Sequence, residues 1–203
     1  MGTTATTIEE SSNMGDTEET VANQVKEVIE VDKEEEEQPG DKKGHPFGDQ
    51  GGSLTRIHLY VHETFKGANS TAIRPVASPL GANSSFGSVG VLDDELRVGR
   101  DRASELLGRF QGLVLGTGLE GGANYLTSVT FVFTAGDYQG STLLVVGPVL
   151  GFKGAIERPV VGGTGQVQDG QRGYSMLKLL GNPTPETVLF EVDLFVLVHR
   201  GKY

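Results

Sequence analysis

Cysteine is absent from the 203-residue chain, which excludes disulfides, thiolate metal sites and cysteine nucleophiles while leaving the redox compartment open. No apolar run approaches the roughly 18 residues that a membrane-spanning helix needs, so membrane insertion is not expected. The first fifteen residues, MGTTATTIEESSNMG, have neither the basic start nor the apolar stretch of a signal peptide. Basic charge is scarce as well: residues 1–53 carry fourteen acids and four bases, and so supply the whole net charge of −10. Residues 54–203 are balanced at thirteen of each. Neither part offers the basic footprint that phosphate backbones require, so nucleic acid is not an expected partner.

That charge split divides the chain. Residues 1–53 run from a Thr/Ser/Glu-rich start through TEETVANQVKEVIEV and the acidic run Glu34 to Glu37 into QPGDKKGHPFGDQGG. Low hydrophobicity with high acid content leaves too little burial to offset ordering the chain, so a disordered acidic tail is expected there. Val21, Val25, Val28 and Ile29 fall at helical spacing within it and allow a short marginal helix. The Gly/Pro-rich end of the tail marks a boundary.

From Leu54 onward the period changes to two. In TRIHLYVHETF, Ile57, Leu59 and Val61 are apolar, whereas Arg56, His58, Tyr60 and His62 are polar or amphipathic, the alternation of a half-buried strand. Further β-rich runs follow at 86–92, 106–115, 125–134, 141–150, 174–180 and 187–199, divided by turn sequences such as AGDYQG, VVGGTGQ and GNPTPE. The 30 glycines suit hairpins and bulges and weaken helices. Several strands without β–α alternation imply a closed antiparallel sheet, because closure removes exposed edges. The expected fold is an all-β, eight-stranded antiparallel barrel over 54–203. In VLFEVDLFVLVHR both faces turn apolar from Leu194, which suggests that the second face meets another protomer.

Two familiar patterns are decoys. Gly116, Gly118 and Gly121 match GxGxxG, but a dinucleotide site needs that turn to open a helix, and here another strand follows. His58 and His62 share a strand face about 13 Å apart, too far for one metal. No nucleophile elbow occurs, and no metal or cofactor is expected.

The acids carry the chemistry. Glu63 continues the apolar row of Ile57, Leu59 and Val61 where the strand ends. If buried, its pKa rises and it can keep a proton inside an apolar cavity; if the strand has ended, it is solvated. Asp93 and Asp94 close the next strand, as a turn anchor or as part of a catalytic set. Arg109 either pairs with a buried acid or caps the barrel. Phe131 and Phe133 share a strand face and are candidates to line the cavity. The residues alone describe an apolar cavity with a few acids, suited to a lipophilic small molecule and to acid catalysis at most.

The motifs YVHETFKGANSTA, SSFGSVGVLDDEL, GRFQG, TFVFTAGDYQGSTL, GPVL, PVVGGTG, RGYSMLKLL and FEVDLFVL, in that order over residues 54–203, resemble the plant dirigent proteins. The resemblance implies a barrel that is usually trimeric and secreted to the apoplast. Such proteins steer the coupling of phenoxy radicals, supplied by a separate laccase or peroxidase, in lignan and phenylpropanoid biosynthesis, or stabilise quinone methide intermediates, with no oxidative centre of their own. Their enzymatic status is ambiguous. On this resemblance Glu63 replaces the usual aspartate and Asp93 and Asp94 match the paired acids; the family arginine before PVVGGTG has no settled counterpart, since Ile156-Glu157-Arg158 align only with a local length difference, and Arg158 is the candidate to bind substrate there. Val114 and Gly116 stand where lignan-forming members carry tyrosines, and Gly147 stands where they carry an acid. VQDGQRG also departs from the usual aromatic and basic residues. The expected partners are phenolic small molecules and further copies of the chain. The alternative is a defence-related ligand-binding or scaffold barrel that performs no chemistry. The sequons at Asn69 and Asn83 would make a secreted chain a glycoprotein.

Overall fold

The computed structural model describes residues 54–120, 122–168 and 173–198. The expected acidic tail at 1–53, its short helix, Gly121, the DGQR stretch at 169–172 and the terminal residues from His199 lie outside the described residues. Nine strands follow in chain order: β1 (Thr55–Thr64), β2 (Ala72–Val76), β3 (Val89–Arg97), β4 (Leu106–Gly116), β5 (Asn124–Phe133), β6 (Thr142–Leu150), β7 (Ala155–Thr164), β8 (Gly173–Gly181) and β9 (Thr187–Val196). A 3-10 turn, Gly165–Val167, follows β7.

Each strand from β3 to β9 pairs antiparallel with the next, and β1 pairs with both β9 and β3, which closes an eight-stranded ring. The expected barrel is therefore present. The β1–β9 seam runs for ten residue pairs, from Thr55↔Val196 to Thr64↔Thr187, whereas the β1–β3 seam has only three, centred on Val61↔Leu96. Beyond those three pairs the free edge of β3 is taken by β2, a ninth strand outside the ring, whose register is broken between Ile73 and Val76.

Strand alternation sends every second residue inward. From β1, β3, β5, β6 and β9 this gives a core of Ile57, Leu59, Val61, Leu96, Phe131, Leu143, Val145, Val192 and Leu194, all buried. Phe110 of β4 meets Phe131 edge-on at 5.0 Å between ring centres. β4 can come this close to β5 because position 112 is glycine: a Cβ there would lie 2.1 Å from the Ser128 carbonyl oxygen.

Four details depart from the sequence expectation. β3 does not stop at Leu92 but continues through the two aspartates to Arg97, because alternation makes one of them an inner and one an outer residue. The segment VVGGTG is no separator: Val160 to Thr164 belong to β7, and a register shift between Leu144↔Gly162 and Val145↔Val160 absorbs the glycines. The outer face of β1 is not solvated throughout. Tyr60 and His62 are buried under the turn after β3, with the Arg100 guanidinium 5.9 Å from the Tyr60 ring centre and His62 Nε2 3.0 Å from the Gly99 carbonyl oxygen. On β9 the outward Phe195 is half-buried and stacks on Tyr174 of β8 at 4.8 Å, so this chain itself contributes to covering that face.

Candidate functional site

One half of the barrel interior is hollow. The cavity measures about 600 Å³ and is lined by Phe65, Phe110, Val114, Tyr125, Val129, Val149, Leu177, Leu179, Val188 and Phe190, with the β2 segment from Ala72 to Pro75 along one side. Glu63 and Arg158 are the charged side chains of the ring strands in this wall. Such a mostly apolar cavity with a few fixed polar groups suits a small organic molecule.

The acids sit across the short seam. Continuing the β1–β3 register by one pair from His62↔Glu95 sets Glu63 opposite Asp94. Both follow inward apolar residues at a spacing of two, Val61 before Glu63 and Leu96 beyond Asp94, so alternation turns both into the barrel. Asp94 is completely buried. Its Oδ1 accepts a 2.6 Å hydrogen bond from the Thr71 hydroxyl, while its Oδ2 has no hydrogen-bond partner. Thr71 is itself fixed, since its Oγ1 accepts from the Thr64 amide at 2.9 Å.

Glu63 is half-buried by surface because its carboxyl borders the cavity, yet it is enclosed by the barrel, and loss of solvent pushes its pKa up to about 7. Asp94 is raised well above the ordinary carboxylate range, first by burial and then by the neighbouring Glu63, against the smaller opposing effect of the Thr71 hydrogen bond. Two acids that cannot both ionise in an apolar setting retain a proton near neutrality. The pair is therefore equipped to donate a hydrogen bond or a proton to an oxygen in the cavity.

Asp93, the neighbour of Asp94, faces the other way. Its Oδ1 accepts from Arg109 Nε at 2.8 Å and from Gln111 Nε2 at 3.0 Å on the outside of the barrel, and the Arg109 hydrogen bond leads in holding its pKa down. The structure thus brings Glu63 and Asp94 together and leaves Asp93 outside with Arg109. Arg109 therefore pairs with an exposed acid and not with a buried one.

Of the other expected residues, Val114 lines the cavity, and Arg158 does so while being only 1% exposed. Phe131 and Phe133 belong to the packed core below it. Sequence reasoning missed Thr71, which lies between strands in a glycine-poor loop with no period to mark its direction. It also missed Thr127, an inward β5 residue whose Oγ1 accepts from Arg158 Nη1 at 2.8 Å and donates to the Gly147 carbonyl at 2.9 Å. Alternation backward from Val129 and Phe131 could have found it. Gly116 ends β4 and β5 begins at Asn124, with no helix among the described residues between them, so the GxGxxG pattern does not meet the helix a dinucleotide site needs. His58 is on the outer face, bonded through Nδ1 to Asp193 at 2.7 Å.

Position 116 bears on the missing tyrosines. A Cβ at Gly116 would lie 1.6 Å from the Ser85 carbonyl oxygen, so no side chain fits there without moving the segment before β3.

Comparison with known proteins agrees with this architecture. The family model described as Dirigent-like protein matches residues 54–197. Dirigent protein 21 of Arabidopsis thaliana is 34% identical over 148 residues, covering 70% of this chain and 76% of that protein. Pterocarpan synthase 1 of Glycine max is 31% identical over 148 residues, covering 70% and 78%. Among solved structures, the pterocarpan synthase dirigent protein PsPTS1 superposes with a TM-score of 0.67 at 30% identity, covering 75% of this chain and all of that one. With its motifs, its eight-stranded ring and its family match in agreement, the chain belongs to the dirigent family.

Proposed function

We propose that the chain is a dirigent-type guide, whose Glu63–Asp94 pair binds and protonates an oxygen of a phenolic intermediate held in the apolar cavity. The observation that carries this reading is the electrostatically coupled acid pair, with its raised proton affinity, at the border of a 600 Å³ apolar space. Radicals come from a separate oxidase such as a laccase or peroxidase, and coupling of two of them gives a quinone methide. The neutral acid donates its proton to the quinone methide carbonyl oxygen. A hydroxyl of the same molecule then adds to the benzylic carbon and releases its own proton to the resulting carboxylate. The step is an internal addition with no net change in protons or electrons. Selectivity follows from binding one coupling geometry better than its mirror image, where about 1.4 kcal/mol of preference gives tenfold enrichment.

Similarity to proteins named pterocarpan synthase supports a chemical role over passive binding. The second reading, a binding barrel without chemistry, draws on Val114 and Gly116, which offer no phenolic hydroxyl to orient a ligand. Apoplastic location is part of the proposal, and the exposed Asn69 and Asn83 sequons are compatible with it. Self-association is also part of it, supported by the exposed Leu113, Leu126 and Leu150 on the outer face of β4 to β6; sedimentation as a monomer at micromolar concentration would refute it.

The test is chiral chromatography of the products formed from coniferyl alcohol by a one-electron oxidase, with and without this protein. An enantiomeric excess that vanishes in Glu63→Ala supports the acid-pair guide. Racemic product at saturating protein rules out this substrate and favours the binding barrel or another phenol.

A further inference from the structure

The opposite wall of the cavity holds an unanswered positive charge. Arg158 projects inward from β7 between Ile156 and Val160, with its guanidinium enclosed by the barrel. Nη1 donates to Thr127 Oγ1 at 2.8 Å, but neither Nε nor Nη2 has a partner. Those two nitrogens share one edge of the guanidinium, and that edge presents the pair of parallel N–H donors that a carboxylate accepts bidentately. Leaving a buried cation with free donors is costly, several kcal/mol in ordinary interiors.

The strand across from it explains why no protein group answers. The register Val145↔Val160, continued by two residues, sets Gly147 opposite Arg158. A Cβ built on Gly147 would stand 3.3 Å from Arg158 Cγ, so this is the position from which a side chain could reach the guanidinium, and it carries none. On the other flank Ser175 of β8 lies across from Arg158, a buried neutral hydroxyl with no hydrogen-bond partner, and the cavity wall nearby is apolar Val129, Val149 and Leu177, so no carboxylate of the ring strands stands beside the guanidinium. Burial moves the Arg158 pKa down to about 10, so the group stays charged at neutral pH.

We propose that Arg158 forms an anion subsite, and that the cavity takes a phenolic carboxylic acid, with its carboxylate on the Nε–Nη2 edge of Arg158 and its phenolic oxygen toward Glu63 and Asp94. The inference rests on reading this cavity as the substrate site. Thr127 is a positioning residue, since its hydroxyl holds Nη1 and so leaves the other edge facing the cavity. Gly147 sets the specificity by supplying no competing acid.

Calorimetry with 4-hydroxy-3-methoxycinnamate and with coniferyl alcohol, which differ only in carboxylate against hydroxymethyl, tests this on the full chain at pH 7. The carboxylate binds at least about tenfold more tightly than the alcohol, a difference of about 1.4 kcal/mol. Arg158→Met removes the preference. Gly147→Asp also removes it, by placing an internal carboxylate on the guanidinium, and serves if the methionine variant does not fold. Asp93→Asn, on the outer face of the barrel, retains it. Equal affinities, no binding of the carboxylate, or a preference that survives in both Arg158→Met and Gly147→Asp overturns the subsite. Chiral chromatography of the coupling products of both compounds, run in parallel, separates the two readings. Biased coupling of the alcohol without a carboxylate preference removes the subsite and keeps the guide. An Arg158-dependent preference with racemic products from both compounds keeps the subsite and removes the guide.

Discussion

The same strands build two unlike halves of one interior. β5 contributes Tyr125, Thr127 and Val129 to the cavity and Phe131 and Phe133 to the packed core; β9 contributes Val188 and Phe190 to the first and Val192, Leu194 and Val196 to the second. Backbone alternation is identical in the two halves, so the difference lies in what the inward positions hold. In the closed half, two large aromatics of β5 meet Phe110, Leu96 and Leu143 and fill the ring. In the open half, position 147 is glycine, position 114 is valine, and three inward positions are Glu63, Asp94 and Arg158, charges that a packed core would exclude. Stability is concentrated at one end of the barrel, which lets the other carry costly groups.

Truncation should break this contrast most visibly. Phe131→Ala removes a fully buried ring from the closed half and is expected to cost about 3–5 kcal/mol in urea unfolding. An equally large loss from Val114→Ala would show that the cavity wall is packed as tightly as the core.

A smaller effect depends on pH. The folded chain keeps the Glu63 proton up to about pH 7, whereas an ordinary glutamate loses it near 4.5. Folding therefore takes up a proton between those values: the stability associated with this group is fully present below about pH 4.5 and is lost as pH rises through about 7. Glu63→Gln should flatten the profile, matching the parent at pH 4 and exceeding it by up to about 3 kcal/mol at pH 8 in thermal or denaturant unfolding. A parent chain more stable at pH 8 than at pH 5 would contradict the buried acid pair.

The smallest changes are expected on lining and outer groups. Val114→Ala, bordering empty space, should cost under about 1 kcal/mol. Asp93→Asn, which breaks the outer pair with Arg109, should cost about as little and leave stereochemical bias intact, because that pair is solvent-exposed. Loss of bias in Asp93→Asn would move the chemistry to the outer face of β3.

Much of this was legible in the sequence. Period-two alternation and turn residues gave the all-β reading, and the apolar row ending in Glu63 identified an inward acid, because one strand carries that whole argument. Asp94 could not be separated from Asp93 without knowing that β3 runs on through both, since two adjacent acids look like a strand end. β2 was hidden by its length of five residues and by Pro75, and β7 by Gly162 and Gly163, which mimic a turn. The state of Arg158 was out of reach for a different reason. It depends on which residue lies across the β6–β7 pair, and a register shift between those strands decides that. Thr71 acts from a connecting segment on a partner 23 residues away, a relation that no local pattern encodes.

The short β1–β3 seam has a kinetic consequence. From β3 to β9 every ring contact joins strands adjacent in sequence, so that meander can assemble hairpin by hairpin with little loop-closure entropy. β1 alone must find a partner from the far end of the chain, and it carries Glu63 with it. Until it docks, Glu63 and Asp94 are apart and each is free to ionise. Closing the ring and taking up the shared proton are therefore one event, and the barrier to the last step of folding is set in part by the acidity of the solution in which the barrel shuts.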